Sequence, residues 1–273
     1  MRRASLSVTE ILDDAEEVVA GVFAPWGGLL WLTALPLRLL QIHFLDRLAA
    51  LGGEAPHYGV HLQQLALLTT AALVLSLLGR AVFVRACTMS LRSGKPPGAA
   101  AWRIGVGPAL SYLYIGLFLE VLFTLTAPAF VVAPLLMLLS GLAAATAPLV
   151  PRPGPIAPWR AAAAHLRHLR VLVAVLALFT AALLIAAVNL YFVFRIGLWL
   201  AGGLPGAALA AWDTLLSLGH RRFRLLLFAG TVLVLEPFWL ATLVVFVQKS
   251  LARTTGEDLR ITWERLRSEA AAS

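Results

Sequence analysis

An all-α, polytopic transmembrane bundle of about six spans with amphipathic cytoplasmic helices at both ends is dictated by three features of this chain. Hydrophobic residues make up 60% of its 273 positions. They are gathered into six long apolar stretches, and a helix needs about 20 such residues in a row to cross a bilayer. Lys and Arg collect in the gaps on alternate sides of those stretches, which is the charge bias that orients membrane helices. Only helices and closed barrels satisfy every backbone N–H and C=O in hydrocarbon, and continuous apolar runs of this length favour helices. Six of them nearly exhaust the chain and leave little for a catalytic domain.

Residues 1–23 read as a cytoplasmic amphipathic helix. Ser7 and Glu10 have the spacing of a capping box, and Ile11, Ala15, Val18, Val19 and Val22 recur at helical intervals against an acidic face of Asp13, Asp14, Glu16 and Glu17. Acidic residues stand where a signal peptide requires an apolar core, so the first span is expected to remain as an anchor. The transmembrane domain occupies 24–250, with spans expected at 24–45, 64–85, 108–127, 129–149, 171–194 and 225–248. The run from Pro108 to Val150 would reach about twice the hydrocarbon thickness as one helix, so it is divided at a hairpin suited to Pro128 and Pro134. Between spans five and six, residues 204–218 carry Trp212 among alanines and leucines and read as an interfacial helix. Residues 251–273 form a second cytoplasmic helix, capped by Thr255 with Asp258, with Leu259, Trp263 and Leu266 on one face and Arg260 paired with Glu264 on the other.

With the N-terminus inside, cytoplasmic segments hold 16 of the 22 Lys and Arg residues, including Arg80, Arg85, Arg92, Lys95 and Arg103 at and beyond the cytoplasmic end of span two. Both termini are therefore expected in the cytoplasm. Arg221, Arg222 and Arg224 oppose the trend, because they precede span six on the outer side. The acidic N-terminal helix either neighbours the basic segment Trp159–Arg170 or stays solvated. The lead-ins ending Ala-Trp-Arg at Arg103 and Pro-Trp-Arg at Arg160 put Trp102 and Trp159 at the membrane boundary.

Charges inside the spans are the sharpest functional candidates, since each costs on the order of 3 kcal/mol at the bilayer centre. They are Arg38, Glu120 and Glu236. Arg38 lies about 14 residues and Glu120 about 12 residues from the cytoplasmic side, so their depths allow pairing. Glu236 adjoins Pro237, whose missing N–H frees a carbonyl and offers a place for a proton or cation; a packing salt bridge is the other reading. Asn189 is expected to tie span five to a neighbour. On the cytoplasmic side Arg160, His165, Arg167, His168 and Arg170 suit anionic lipid headgroups. His57 and His61, with Glu54 nearby, lack a second ligand cluster and read as surface residues, so no metal site is expected. Cys87 is the sole cysteine and permits no internal disulfide. No phosphate loop, nucleophile elbow or zinc-protease motif occurs, and no cofactor is expected. The net charge of +8 follows from inside-positive loops and points to anionic lipid, not to nucleic acid.

Three passages carry a likeness: Gly94-Lys95-Pro96-Pro97, the alanine-rich lead-in to span five, and the ending Arg253-Thr254-Thr255-Gly256-Glu257-Asp258-Leu259. Together with the topology they resemble bacterial six-helix proteins related to the membrane domain of glycerophosphoryl diester phosphodiesterase. That resemblance implies a bacterial cytoplasmic (inner) membrane. It implies no phosphodiesterase activity, which belongs to a separate soluble domain, and it carries over no catalytic residues. Some relatives are associated with MoxR-type chaperones, which implies a role in envelope assembly beside a protein partner. The function expected is thus a non-catalytic scaffold or subunit of an envelope complex. Alternatives are a transporter or lipid-handling protein using Arg38, Glu120 and Glu236, and an intramembrane enzyme with Glu120 and Glu236 as its acid and base.

Overall fold

The computed structural model describes residues 6–50, 59–94, 97–126, 132–149, 156–202 and 216–255, and among these every regular element is helical. The helices are α1 (Val8–Ala50), α2 (Gly59–Ser93), α3 (Val106–Thr126), α4 (Ala133–Thr146), α5 (Ala157–Ala163), α6 (Leu169–Gly202) and α7 (Arg221–Thr255). Short 3-10 turns lie at Ala99–Trp102, Ala147–Leu149 and Leu166–His168. Helices α1, α2, α3, α6 and α7 are long and apolar enough to cross a membrane, which is compatible with a multi-pass membrane protein. The fourth expected span is the exception. Helix α4 has 14 residues, about 21 Å of rise against a hydrocarbon core of about 30 Å. It begins with Pro134 in its first turn and gives way to the 3-10 turn that contains Pro148, a residue with no N–H to continue an α-helical ladder.

Helix α1 runs unbroken across the boundary between the acidic segment and span one, despite Pro25 and Pro36 inside it. One stripe is buried along its length, from Ile11, Ala15, Val18 and Val22 through Trp26 and Leu30 to Leu37, at the three- and four-residue intervals of a single helix face. The capping box does not form. Ser7 Oγ shares a hydrogen bond with Thr9 Oγ1 at 2.7 Å, and the Glu10 carboxylate reaches Lys249 of α7 instead of turning back to the helix start. Against α1 lies α2, with Gly79 so close to Thr33 that a Cβ there would stand 2.1 Å from Thr33 Oγ1. Small residues let membrane helices approach this closely. Gly141 of α4 meets Leu243 of α7 in the same way.

Among the five long helices α7 is the most enclosed, burying Trp239, Leu240, Leu243 and Phe246 among their neighbours. At the other extreme α6 presents Leu184, Ile185, Val188, Phe192, Ile196 and Trp199 outward, an apolar surface suited to lipid.

Contacts at the two ends of the bundle show how the helices alternate. At one end the start of α1 meets the finish of α7: Lys249 Nζ lies 2.8 Å from Glu10 and 2.7 Å from Asp14, and Arg253 lies 3.7 Å from Glu10. The acidic helix therefore pairs with α7. Trp26 Nε1 donates to the Pro97 carbonyl at 3.2 Å and packs beside Trp102 at the same end. At the opposite end the finish of α1 meets the start of α7. Arg222 donates to Asp46 Oδ2 from Nε at 3.0 Å and from a terminal nitrogen at 2.6 Å, and Arg221 donates to the Leu45 carbonyl at 3.3 Å. Cations beside the C-terminal end of α1 complement its helix dipole, which gives Arg221 and Arg222 a local reason to stand against the charge bias. The interfacial helix expected at 204–218 falls almost wholly outside the described residues, as does the C-terminal helix beyond Thr255.

Candidate functional site

Four helices each place one charged side chain at a common level. Arg38 comes from α1, Arg80 from α2, Glu120 from α3 and Glu236 from α7, and each is only 3–4% exposed. They form a chain of ion pairs. Arg38 donates to Glu120 Oε1, Arg80 donates to Glu120 Oε2 at 2.8 Å, and Arg80 Nε donates to Glu236 Oε1. Gln41, one helical turn beyond Arg38, accepts from the Arg38 guanidinium at 2.8 Å and donates to Thr124 Oγ1 at 2.7 Å. The Arg38 guanidinium also lies 4.9 Å from the centre of the Phe123 ring, within range of a cation–π contact. Two cations and two anions sum to zero. Desolvating four charges is costly, but removing any single member would leave an uncompensated buried charge, which costs about 3–5 kcal/mol.

The pairing of Arg38 with Glu120 follows the depths read from the sequence. Arg80 is a correction, because it was counted among the cytoplasmic loop residues and instead links the two glutamates. The signal was in the residues after it. Val82, Phe83, Val84, Ala86 and Cys87 are all buried, so α2 continues about 20 Å beyond Arg80 to Ser93. Charge alone marked Arg80 as a boundary, whereas the apolar run that resumes behind it marks an interior position.

The carbonyl freed by Pro237 is also accounted for. A proline at 237 cannot donate to the carbonyl four residues earlier, and the indole N–H of Trp31 on α1 donates to that carbonyl, Leu233 O, at 3.0 Å. It thus accepts an interhelical hydrogen bond. Glu236 retains one oxygen, Oε2, with no hydrogen-bond partner. Glu236 lines a cavity of about 20 Å³, shared with Arg38, Arg80, Glu120, Ser140 and Trp239, which is room for about one water molecule.

Other candidates are not brought to this site. Asn189 is exposed on the outer face of α6, where among the described residues it has no hydrogen bond to a neighbouring helix; α6 buries Leu172, Val175, Phe179 and Leu183. His165 is a second correction. It is buried, with Nδ1 2.9 Å from Ser250 Oγ of α7 and its ring against Phe246, so it packs inside the protein and does not face headgroups. Burial lowers its pKa below the ordinary histidine value, and Arg167 and His168 push in the same direction. Arg160, Arg167 and Arg170 are exposed at the end of the bundle where α7 finishes, and His168 is half-buried against Phe246. Glu54 and His57 lie outside the described residues, as does the side chain of His61. Among the described residues no three His, Cys, Asp or Glu side chains gather to hold a metal ion. Cys87 is enclosed in the core.

Comparison of the chain with protein families, curated proteins and solved structures finds no match. The chemistry must therefore be argued from the four charges. Glu120 and Glu236 both engage Arg80, and the cavity beside them has the dimensions of a water molecule rather than of a lipid headgroup or a solute. What the arrangement does well is bind four helices to one another.

Proposed function

We propose that this chain is a non-catalytic, multi-pass protein of a bacterial cytoplasmic membrane, acting as a scaffold or subunit of an envelope complex. The observation that carries the reading is the mutual neutralisation of Arg38, Arg80, Glu120 and Glu236. Charges that would mark a transport path or an intramembrane acid and base are used as ties between α1, α2, α3 and α7. The likeness to the membrane domain of glycerophosphoryl diester phosphodiesterase fits the same reading and adds no activity.

The reading includes six crossings with both termini in the cytoplasm. The Glu10–Lys249 pair joins the start of the first long helix to the finish of the last, which supports an even number of passes, whereas five long helices alone would be odd. Helix α4 with its 3-10 extension supplies the sixth, with a combined rise of about 27 Å. The cytoplasmic face then presents exposed Asp13, Glu16 and Glu17 on one side and Arg160, Arg167 and Arg170 on another, the second of which suits anionic lipid headgroups.

Native mass spectrometry of the protein, released gently from its own membranes, tests the proposal. A stoichiometric protein partner is the expected result, lost when residues 253–273 are deleted. A lone chain carrying one specific lipid would overturn it in favour of lipid handling.

A further inference from the structure

Among the described residues five buried side-chain atoms have no hydrogen-bond partner, and two of them, Arg38 Nε and Glu236 Oε2, belong to the ion-pair chain. Their residues line the same water-sized cavity, together with the Ser140 side chain. A second cavity of about 20 Å³ follows it, lined by Gln41, Ile42, Leu45 and Thr124 on one side and by Leu225, Phe228 and Ala229 on the other. Arg38, Phe123 and Val232 border both cavities, so the two are neighbours in a row. The row leads from Glu236 toward Leu45 and Leu225, the end of the bundle where α1 finishes and α7 begins. In the other direction the core closes, because Leu243, Val244, Val245, Phe246 and Val247 are each no more than 1% exposed.

A water molecule is retained inside a protein where it finds two to four polar partners and enough room. The polar residues around the first cavity include Glu236, Arg38 and Ser140, and those around the second are Gln41, Thr124 and Arg38. An unpartnered carboxylate oxygen or guanidinium N–H left dry is costly, so hydration of both cavities is favoured.

We infer that water enters between α1, α3 and α7 from the Leu45–Leu225 end and stops at Glu236, so that the ion-pair chain is hydrated from one side of the membrane only. The charged groups facing that water are Arg38 of α1, Arg80 of α2, Glu120 of α3 and Glu236 of α7. The inference stands apart from the scaffold reading, since it needs no partner.

Hydroxyl-radical footprinting by X-ray radiolysis in native membrane vesicles tests it, because the probe is water itself. Phe123 and Phe228 border the cavities and are each 5% exposed, whereas Phe83 and Phe246, at 1% and 0%, border neither. Oxidation of Phe123 and Phe228 is expected to exceed that of Phe83 and Phe246 several-fold. Equal, background oxidation of all four would overturn the inference, and so would stronger oxidation of Phe246 than of Phe228. Ala229→Leu fills the second cavity and should lower oxidation of Met137, which lines the first, without changing Met89 at the other end. An unchanged Met137 would show that water does not arrive by this route.

Discussion

Arg80 holds two carboxylates at once, and replacing it by methionine is the sharpest way to measure what the ion-pair chain contributes. In Arg80→Met, Glu120 keeps Arg38 and Gln41, but Glu236 loses its sole partner among the described residues. A buried charge stripped of its partner costs about 3–5 kcal/mol. For a chain of this size each kcal/mol moves the unfolding midpoint by about 2–4 °C, so a fall on the order of 10 °C is expected. The informative comparison is the double variant Arg80→Met with Glu236→Met. It removes one cation and one anion, leaves the Arg38–Glu120 pair intact, and replaces the lost pair by apolar side chains of suitable size. Such replacements are commonly neutral or stabilising, so the double variant should regain most of the loss. Thermal unfolding followed by tryptophan fluorescence in a single detergent gives both numbers. Equal losses in the single and double variants would refute the reasoning, because they would show that packing around Arg80, not charge balance, sets the cost.

Three further expectations are more local. Trp31→Phe removes the donor to the Leu233 carbonyl and should cost about 1–3 kcal/mol, and adding Pro237→Ala should restore stability by returning the backbone N–H that proline lacks; unfolding midpoints that fail to recover would argue against this pairing. Lys249→Glu places like charges against Glu10 and Asp14, which are half-exposed and screened, so a loss of no more than about 1 kcal/mol is expected. It should appear as faster hydrogen exchange across residues 8–22 with no change around Glu120. His165 binds a proton less readily in the packed state, so its contact with Ser250 is fully present above the ordinary histidine value of 6.5 and weakens as pH falls through the lowered value. Exchange across α5, corrected for the intrinsic rate, should rise below that pH in the wild type and stay level in His165→Phe.

Helix type and the pairing of Arg38 with Glu120 were both legible from residues alone. Helix type follows from the length of the apolar runs, and the pairing follows from depth, because a rise of 1.5 Å per residue converts sequence position into level within the membrane. The role of Arg80 was hidden by a rule about charge. An arginine near the end of an apolar run is ordinarily a boundary residue, and only the packing of Phe83, Val84 and Cys87 shows that α2 continues past it. Trp31 was hidden for a different reason. An indole inside an apolar run reads as ordinary packing, so nothing in its neighbours points to a carbonyl on α7.

What the sequence determined by itself is environment and element type: an apolar, helical chain in which most cations lie outside the spans and a few charges lie within them. Those properties depend on composition and on spacing along one helix, and both are local. Tertiary structure alone decided which charges meet, which carbonyl Trp31 satisfies, and that His165 faces inward while Asn189 faces outward. Each of these depends on the rotation of one helix against another, and that angle is settled by close contacts such as Gly79 against Thr33 and Gly141 against Leu243, where two distant residues must fit at once.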